Sequence, residues 1–327
     1  MFHWGIMGSG SISSQFAAGL KEIKDAKLYA VASASGKNPF GIKAEKYYDS
    51  YEKLAKDPNV DAVYVGTIHP VHLACVRACL KNRKPVLCEK PVAMNEMELN
   101  EMIELAKENN TFFMEAMWSR YLPAIRHIKN ILQSGEYGRM HYMNITFGYV
   151  GDKKMKRLFE KNLGGGALLD IGIYGLSLAD FWIGEKPCKI HSWAQLSEES
   201  VDVDTSVQLT YESGMMADMM FSFQRNLPNS AYIVMDKAEF EIPYFWRPEV
   251  IVHRRPNGNF NSDLYERTEE IKLQGNGYQY EAMEVMRCVK EGALESPDMT
   301  WEKSREIMQQ MDYIRKQCGV IYEQDEM

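Results

Sequence analysis

Over the first 120 residues, short apolar runs alternate with longer stretches that carry an apolar stripe at helical spacing. The runs predict strands over 3–7, 27–32, 62–66, 85–88 and 111–115. The longer stretches predict helices over 12–23, 51–56, 70–81 and 96–109. Apolar strands separated by helices imply a parallel sheet covered on both faces. Active residues on such a sheet gather at the carboxyl ends of the strands. Thr67, His69, Glu89, Lys90 and Trp118 stand at those ends.

Beyond residue 120 the pattern changes. A helix over 123–134 precedes an alternating strand over 140–150. Gly164, Gly165 and Gly166 open an apolar helix over 168–183. Period-two runs follow near 188–196, 205–211, 215–224 and 232–235. In these, Val207, Leu209 and Tyr211 share a face, as do Ala217, Met219, Phe221 and Phe223. Short turns such as Glu212-Ser213-Gly214 mark the sheet as antiparallel. Helices over 279–291 and 301–318 close the chain. The expectation is an α/β fold in two domains. Residues 1–120 form an N-terminal domain of the Rossmann type. Residues 121–327 form a C-terminal α+β domain with a large, mainly antiparallel open sheet.

Composition narrows the partners. A length of 327 residues suits two domains, and a net charge of −7 gives no electrostatic footprint for nucleic acid or an anionic membrane. No apolar run in the sequence stands out as membrane-spanning. The six cysteines are scattered without a C-x-x-C pair, and no signal peptide precedes the first strand. Both points suggest a reducing cytoplasm. His69 and His72 are three apart, but no third ligand joins them locally, so no metal is expected.

The first strand runs straight into Gly8-Ser9-Gly10-Ser11-Ile12-Ser13. Gly8 permits a tight turn, Gly10 lets a pyrophosphate approach the backbone, and the helix that follows offers free N–H groups to it. Ser13 replaces the third glycine of the usual fingerprint. A glycine turn between any strand and helix has the same look, so the motif needs company. Glu89-Lys90-Pro91 supplies it, just past the fourth strand, where a nicotinamide would lie. Further on, Asp170 and Tyr174 share a face of the apolar helix, and both need polar partners there.

Together these segments resemble the Gfo/Idh/MocA family (glucose–fructose oxidoreductase, inositol dehydrogenase). The resemblance also includes residues 57–64 and His69-Pro70-Val71-His72. Within the family, residues 114–123 and Asp170-Ile171-Gly172-Ile173-Tyr174 look most like the dimeric dihydrodiol dehydrogenase branch. The resemblance implies that Lys90 and Tyr174 flank nicotinamide and substrate. Tyr174 would then move the proton, Lys90 would be its electrostatic partner, and Asp170 would orient the lysine or a substrate hydroxyl. It places the Thr67, His69 and His72 loop and Glu89 against the cofactor. Trp118 and Arg120 would wall the substrate pocket, although packing at the domain junction would account for them equally well. The implied function is hydride transfer between nicotinamide and a sugar-like or vicinal diol hydroxyl. The alternatives are a keto-sugar reductase working mainly in the reducing direction and a dinucleotide-sensing regulator without chemistry.

The second strand ends without the acid that binds a ribose 2′-hydroxyl in NAD sites. Ser33, Ser35 and Lys37 stand there instead and favour NADP(H). The branch's frequent arginine is absent at Ala34, and Pro39 and Gly41 interrupt the helix expected over 37–46. In the second domain, Met143, Ile145, Phe147, Val207, Leu209, Met219 and Phe221 form one apolar sheet face. The opposite face, with Tyr142, Asn144, Thr146, Gln208, Thr210, Met216, Met220 and Ser222, has few charges. It predicts a homodimer through that sheet, or else a cover of the chain's own C-terminal helices.

Overall fold

The computed structural model describes residues 1–255 and 265–326, which divide into two compact units. Unit one comprises Met1–Trp118 and Gln274–Met308; unit two comprises Ser119–Leu273 and Gln309–Met327.

Unit one is built as β1 (Phe2–Met7), α1 (Ser11–Leu20), β2 (Ala26–Ala32), β3 (Lys46–Tyr48), α2 (Tyr51–Ala55), β4 (Ala62–Val65), α3 (His72–Lys81), β5 (Val86–Glu89), α4 (Glu96–Glu108) and β6 (Phe113–Ala116). The sheet order is β3-β2-β1-β4-β5-β6, and every neighbouring pair is parallel. The chain therefore reverses its winding between β1 and β4, and that crevice is where such sheets take their ligands. Val63, Val65, Val86, Cys88 and Phe113 are buried in one continuous core with Val76 and Leu80 of α3 and Leu99 and Ile103 of α4. Asn95 caps α4 by accepting the Glu98 N–H at 2.9 Å.

No helix forms over 37–46. Gly41 is left-handed at φ 60° in an irregular segment, and the Tyr47 hydroxyl ties the chain there through Ala44 N–H and the Ile42 carbonyl. The short edge strand β3 takes the helix's place.

The first unit is also discontinuous, since the chain returns to it over Gln274–Met308. Helix α8 (Tyr278–Glu291) belongs with α1, not with the second half of the chain. A Cβ on Gly19 would meet the Tyr278 Cβ at 3.0 Å, so a small residue lets the two helices close up. Asn276 Nδ2 donates to the Gln15 carbonyl at 2.7 Å. Helix α9 (Trp301–Cys318) starts in unit one, where Trp301 Nε1 donates to the Phe113 carbonyl at 2.9 Å, and ends in unit two.

Unit two holds α5 (Pro123–Gln133), β7 (Met140–Gly148), α6 (Lys156–Phe159), a π-helical turn (Leu168–Gly172), α7 (Ile173–Ile183), β8 (Lys189–Leu196), β9 (Asp202–Thr210), β10 (Met216–Ser222), β11 (Ser230–Met235), β12 (Glu239–Pro243), β13 (Val250–Arg255) and β14 (Tyr265–Glu270). The sheet runs β14-β13-β12-β11-β7-β10-β9-β8, antiparallel except for the β7–β10 pair. The expected apolar face, from Met143 to Phe221, is buried.

Helical stretch Lys161–Ile183 is long and apolar enough to cross a bilayer by composition, contrary to expectation, but 89% of its most apolar window is buried inside the fold. Gly172 and Gly175 allow that burial. A Cβ on Gly175 would stand 2.6 Å from the Phe221 ring, so the helix lies hard against β10.

Candidate active site

The glycine turn after β1 has the shape that a dinucleotide requires. Gly8 sits at φ 99°, and a Cβ there would meet the Gly66 carbonyl oxygen at 2.5 Å. Ser13 fills the third glycine position. It is buried, and its hydroxyl donates to the Gly66 carbonyl at 3.3 Å. At Gly10, by contrast, a Cβ would point into open space. No side chain caps α1, so the first N–H groups of the helix at Ser11 and Ile12 are left for an incoming anion. These residues fit a bound pyrophosphate.

A chain of hydroxyls leads from this turn to the end of β2. Ser9 Oγ donates to the Lys37 carbonyl at 2.7 Å and stands 3.2 Å from Ser33 Oγ. Ser33 and Ser35 lie 3.2 Å apart, and Ser35 accepts the Lys37 N–H at 3.3 Å. The segment carries hydroxyls and one exposed lysine, without an acid.

The loops after β4 and β5 are joined from beneath. His72 is fully buried, with Nδ1 3.0 Å from the Pro91 carbonyl and Nε2 3.2 Å from the Thr67 carbonyl. The neutral ring has one N–H, so it donates to one of these carbonyls and only packs against the other; enclosed there, it does not reach out to a cofactor as expected. Thr67 departs likewise, because its hydroxyl is turned inward and shut off from solvent. His69 lies half-buried, edge-on to His72 at 5.8 Å between ring centres. Lys90 and Glu89 follow at the end of β5; both are largely buried, and Glu89 accepts from the Tyr64 hydroxyl. The residues expected at the cofactor's two ends thus lie on one sheet, at the carboxyl ends of β1, β2, β4 and β5.

Burial holds the His72 imidazole down at about 4, outweighing the backbone carbonyls that would favour its charged form. A histidine so depressed adds stability that is complete above its unfolded value of about 6.5. That stability is lost as pH falls from there toward 4, because the unfolded chain binds the proton first. The expected loss is up to about 3 kcal/mol. Urea unfolding at pH 7 and pH 4.5 should show this difference, and His72→Gln should flatten it. An unchanged pH slope in His72→Gln would refute the assignment.

In unit two, the glycine loop and the following helix present a short polar face. From Gly164 to Trp182, only Asp170, Tyr174 and Asp180 are not buried. Asp180 is taken by Arg120 Nη2 at 2.8 Å. Asp170 pairs with Arg157 at 3.3 Å. The π turn that carries Asp170 is the kind of helix irregularity that recurs at functional sites.

Trp118 and Arg120 are packing residues rather than pocket walls. Arg120 is 1% exposed; its Nε donates to Ser177 Oγ and its Nη2 to the Ser177 carbonyl, each at 2.8 Å. The Trp118 ring stacks on Tyr278 at 4.5 Å and is also buried. Little of either side chain remains to meet a substrate.

Several supporting residues are not evident from the sequence pattern. Asp202 accepts the Leu168 N–H and the Thr205 hydroxyl, each at 2.6 Å, and so fixes the start of the Tyr174 helix. Tyr322 donates to the Gly165 carbonyl. A Cβ on Gly166, which sits at φ 131°, would stand 2.5 Å from Asp202 Oδ1 and 2.9 Å from the Tyr322 hydroxyl. Arg315 holds the chain end through Asp325 at 2.5 Å and lies over the Tyr322 ring. The one sequence signal here was Asp202-Val203-Asp204, with two acids on a strand where apolar residues are usual. Among the described residues, no three His, Cys, Asp or Glu side chains gather as a metal site.

Comparison with known proteins agrees with this geometry. Residues 2–117 match the oxidoreductase family model with an NAD-binding Rossmann fold, and residues 125–241 match the Gfo/Idh/MocA C-terminal domain. Trans-1,2-dihydrobenzene-1,2-diol dehydrogenase of Xenopus laevis is 38% identical over 98% of both chains, and that of Mus musculus is 34% identical over the same share. The crystal structure of an aldose-aldose oxidoreductase from Caulobacter crescentus with glycerol has TM-score 0.84 at 22% identity, covering 97% of each chain. A 3-ketoreductase from Actinomadura kijaniata, in complex with NADP and TDP-benzene, also gives 0.84, at 19% identity over 97% of this chain and 98% of that one. At such identities, these two structures show the fold. The full-length relatives and both family models show that this chain is an oxidoreductase of the Gfo/Idh/MocA family.

Proposed function

We propose that the protein moves a hydride between NADP(H) and a hydroxyl of a vicinal diol or sugar-like compound. Tyr174 transfers the proton and Lys90 is its partner. The observation that carries this reading is the polar face of an otherwise buried helix: Asp170 and Tyr174, one turn apart. Nicotinamide, when bound, supplies the hydride acceptor or donor. The chain must then handle the hydroxyl proton. A phenol with a pKa of about 10 is a weak base at neutral pH, and a nearby ammonium favours its phenolate. Lys90 fills that part in this reading and also donates to the substrate oxygen. Asp170 orients the lysine or a second hydroxyl. The diol class is the one named for the relatives at 33–38% identity. The ketoreductase neighbour suggests that the reducing direction be assayed too. A regulator that only senses dinucleotide would have no use for the pair.

The cofactor preference rests on the cluster of Ser9, Ser33, Ser35 and Lys37, whose hydroxyls and ammonium suit a 2′-phosphate. Fluorescence titration should show NADPH binding more tightly than NADH, with the gap eroded by salt. Lys37→Ala should narrow it. Equal affinities at low salt would remove the preference. A screen of cyclic diols, pentoses and hexoses with the better cofactor then tests the reaction. Six unpaired cysteines support a reducing compartment, the cytoplasm in our reading.

The same reading makes the protein a homodimer through the open face of the unit two sheet. Trp193 is 62% exposed there, and Met216 and Gln208 are exposed beside it. Cross-strand rows run Trp193–Ser206–Met220–Thr146 and Lys189–Thr210–Met216–Tyr142. Sedimentation should give a dimer at micromolar concentration, and Thr210→Lys with Met220→Lys should give monomers with unchanged circular dichroism. A monomeric parent protein would rule the interface out.

A further inference from the structure

Glu281, in the first turn of α8, is 0% exposed, and neither of its carboxyl oxygens has a hydrogen-bond partner. A second carboxyl, Glu89, acts on it electrostatically. Glu89 is served differently, since it accepts from the Tyr64 hydroxyl and from the Lys90 N–H at 3.2 Å. Two carboxylates cannot both stay ionised in one dry site. Hydrogen-bond donors decide which of them keeps the charge, and only Glu89 has them. The amino end of α8 pulls the other way, because a helix start favours negative charge. The Gly277 N–H there, however, is donated to Gln279 Oε1 at 2.9 Å, and none reaches Glu281. The titratable groups around the pair include Tyr64 of β4, Tyr278 of α8, the buried thiol of Cys88 in β5, and Lys90 after it. Helix α1, packed on α8, brings none.

We propose that Glu281 is the neutral half of a carboxyl pair with Glu89 and a positioning residue for Lys90. It holds the pair's single proton and so confines the negative charge to Glu89, the residue immediately before the lysine. The role rests on the proposed function of Lys90, but the proton can be observed without turnover. Infrared spectroscopy of the full chain at pH 7 should show the carbonyl band of a protonated carboxyl group, shifted in deuterium oxide and missing in Glu281→Gln. As pH rises, the midpoint at which this band disappears should be lower in Glu89→Gln, which lacks the opposing charge. In turnover, Glu281→Ala should lower kcat by about tenfold or more with little change in KM for the cofactor, because misplacement and not binding is at fault. Glu281→Gln, which copies the neutral acid, should recover most of that loss.

A band missing from the parent protein, or surviving in Glu281→Gln, overturns the proposal. So does a midpoint unmoved in Glu89→Gln, or a Glu281→Gln variant as slow as Glu281→Ala. If the infrared results hold while the parent protein turns over no alcohol or ketone, the proton stays assigned and the proposed function falls.

Discussion

Replacing Tyr174 with phenylalanine should lower turnover by about two to four orders of magnitude, the usual contribution of a positioned acid–base group. The ring stays, so its packing near Phe147, 6.1 Å between ring centres, should survive. Affinity for NADPH should hardly change, because the variant loses only the phenolic oxygen, which the proposed function uses on the substrate's proton. A folded Tyr174→Phe protein with normal turnover would take the phenol out of the mechanism.

Lys90→Met should have an effect of similar size, about two to three orders of magnitude in kcat, since it keeps the stem and removes the charge that the proposed function sets beside the phenol. The two losses should not add. If Lys90 works through Tyr174, the double variant should be little slower than the worse single one. Fully additive losses would mean that the two side chains act in separate steps, and the partnership would be wrong.

Local patterning made most of unit one legible before any coordinates. The strand, Gly8 turn and α1 follow from period, composition and the conformational demand on one glycine. The inner sheet face of unit two follows from alternation alone, since each of Met143, Ile145, Val207, Leu209 and Phe221 must point one way. Strands β12, β13 and β14 were missed because they are short or rich in Glu, Arg and His, so alternation is masked on the open face. The return of α8 to unit one was also hidden, because an amphipathic helix does not say which core receives it.

The site shows the same division. The positions of Gly8, Gly10, Lys90 and Tyr174 in their elements could be read from motifs. The work of the residues around them depends on partners distant in sequence. Arg120 looked like a pocket cation until Ser177 and Asp180, some 60 residues away, took its donors. His72 was expected against the cofactor and lies instead buried between two backbone carbonyls, with one N–H to give. Glu281 belongs to no motif in the sequence. Only the fold places it beside Glu89 with nothing to bond.

The central claim is that a carbon-bound hydrogen passes directly between substrate and nicotinamide in this protein. It is tested most directly with a cyclic vicinal diol deuterated at its carbinol carbons, incubated with NADP and the parent protein. Mass spectrometry and proton NMR of the reduced cofactor should find the deuterium on the nicotinamide ring, on one face of it, and Tyr174→Phe should slow its arrival. Deuterium recovered in water, or no reduced cofactor across the panel of diols and sugars, would contradict the account.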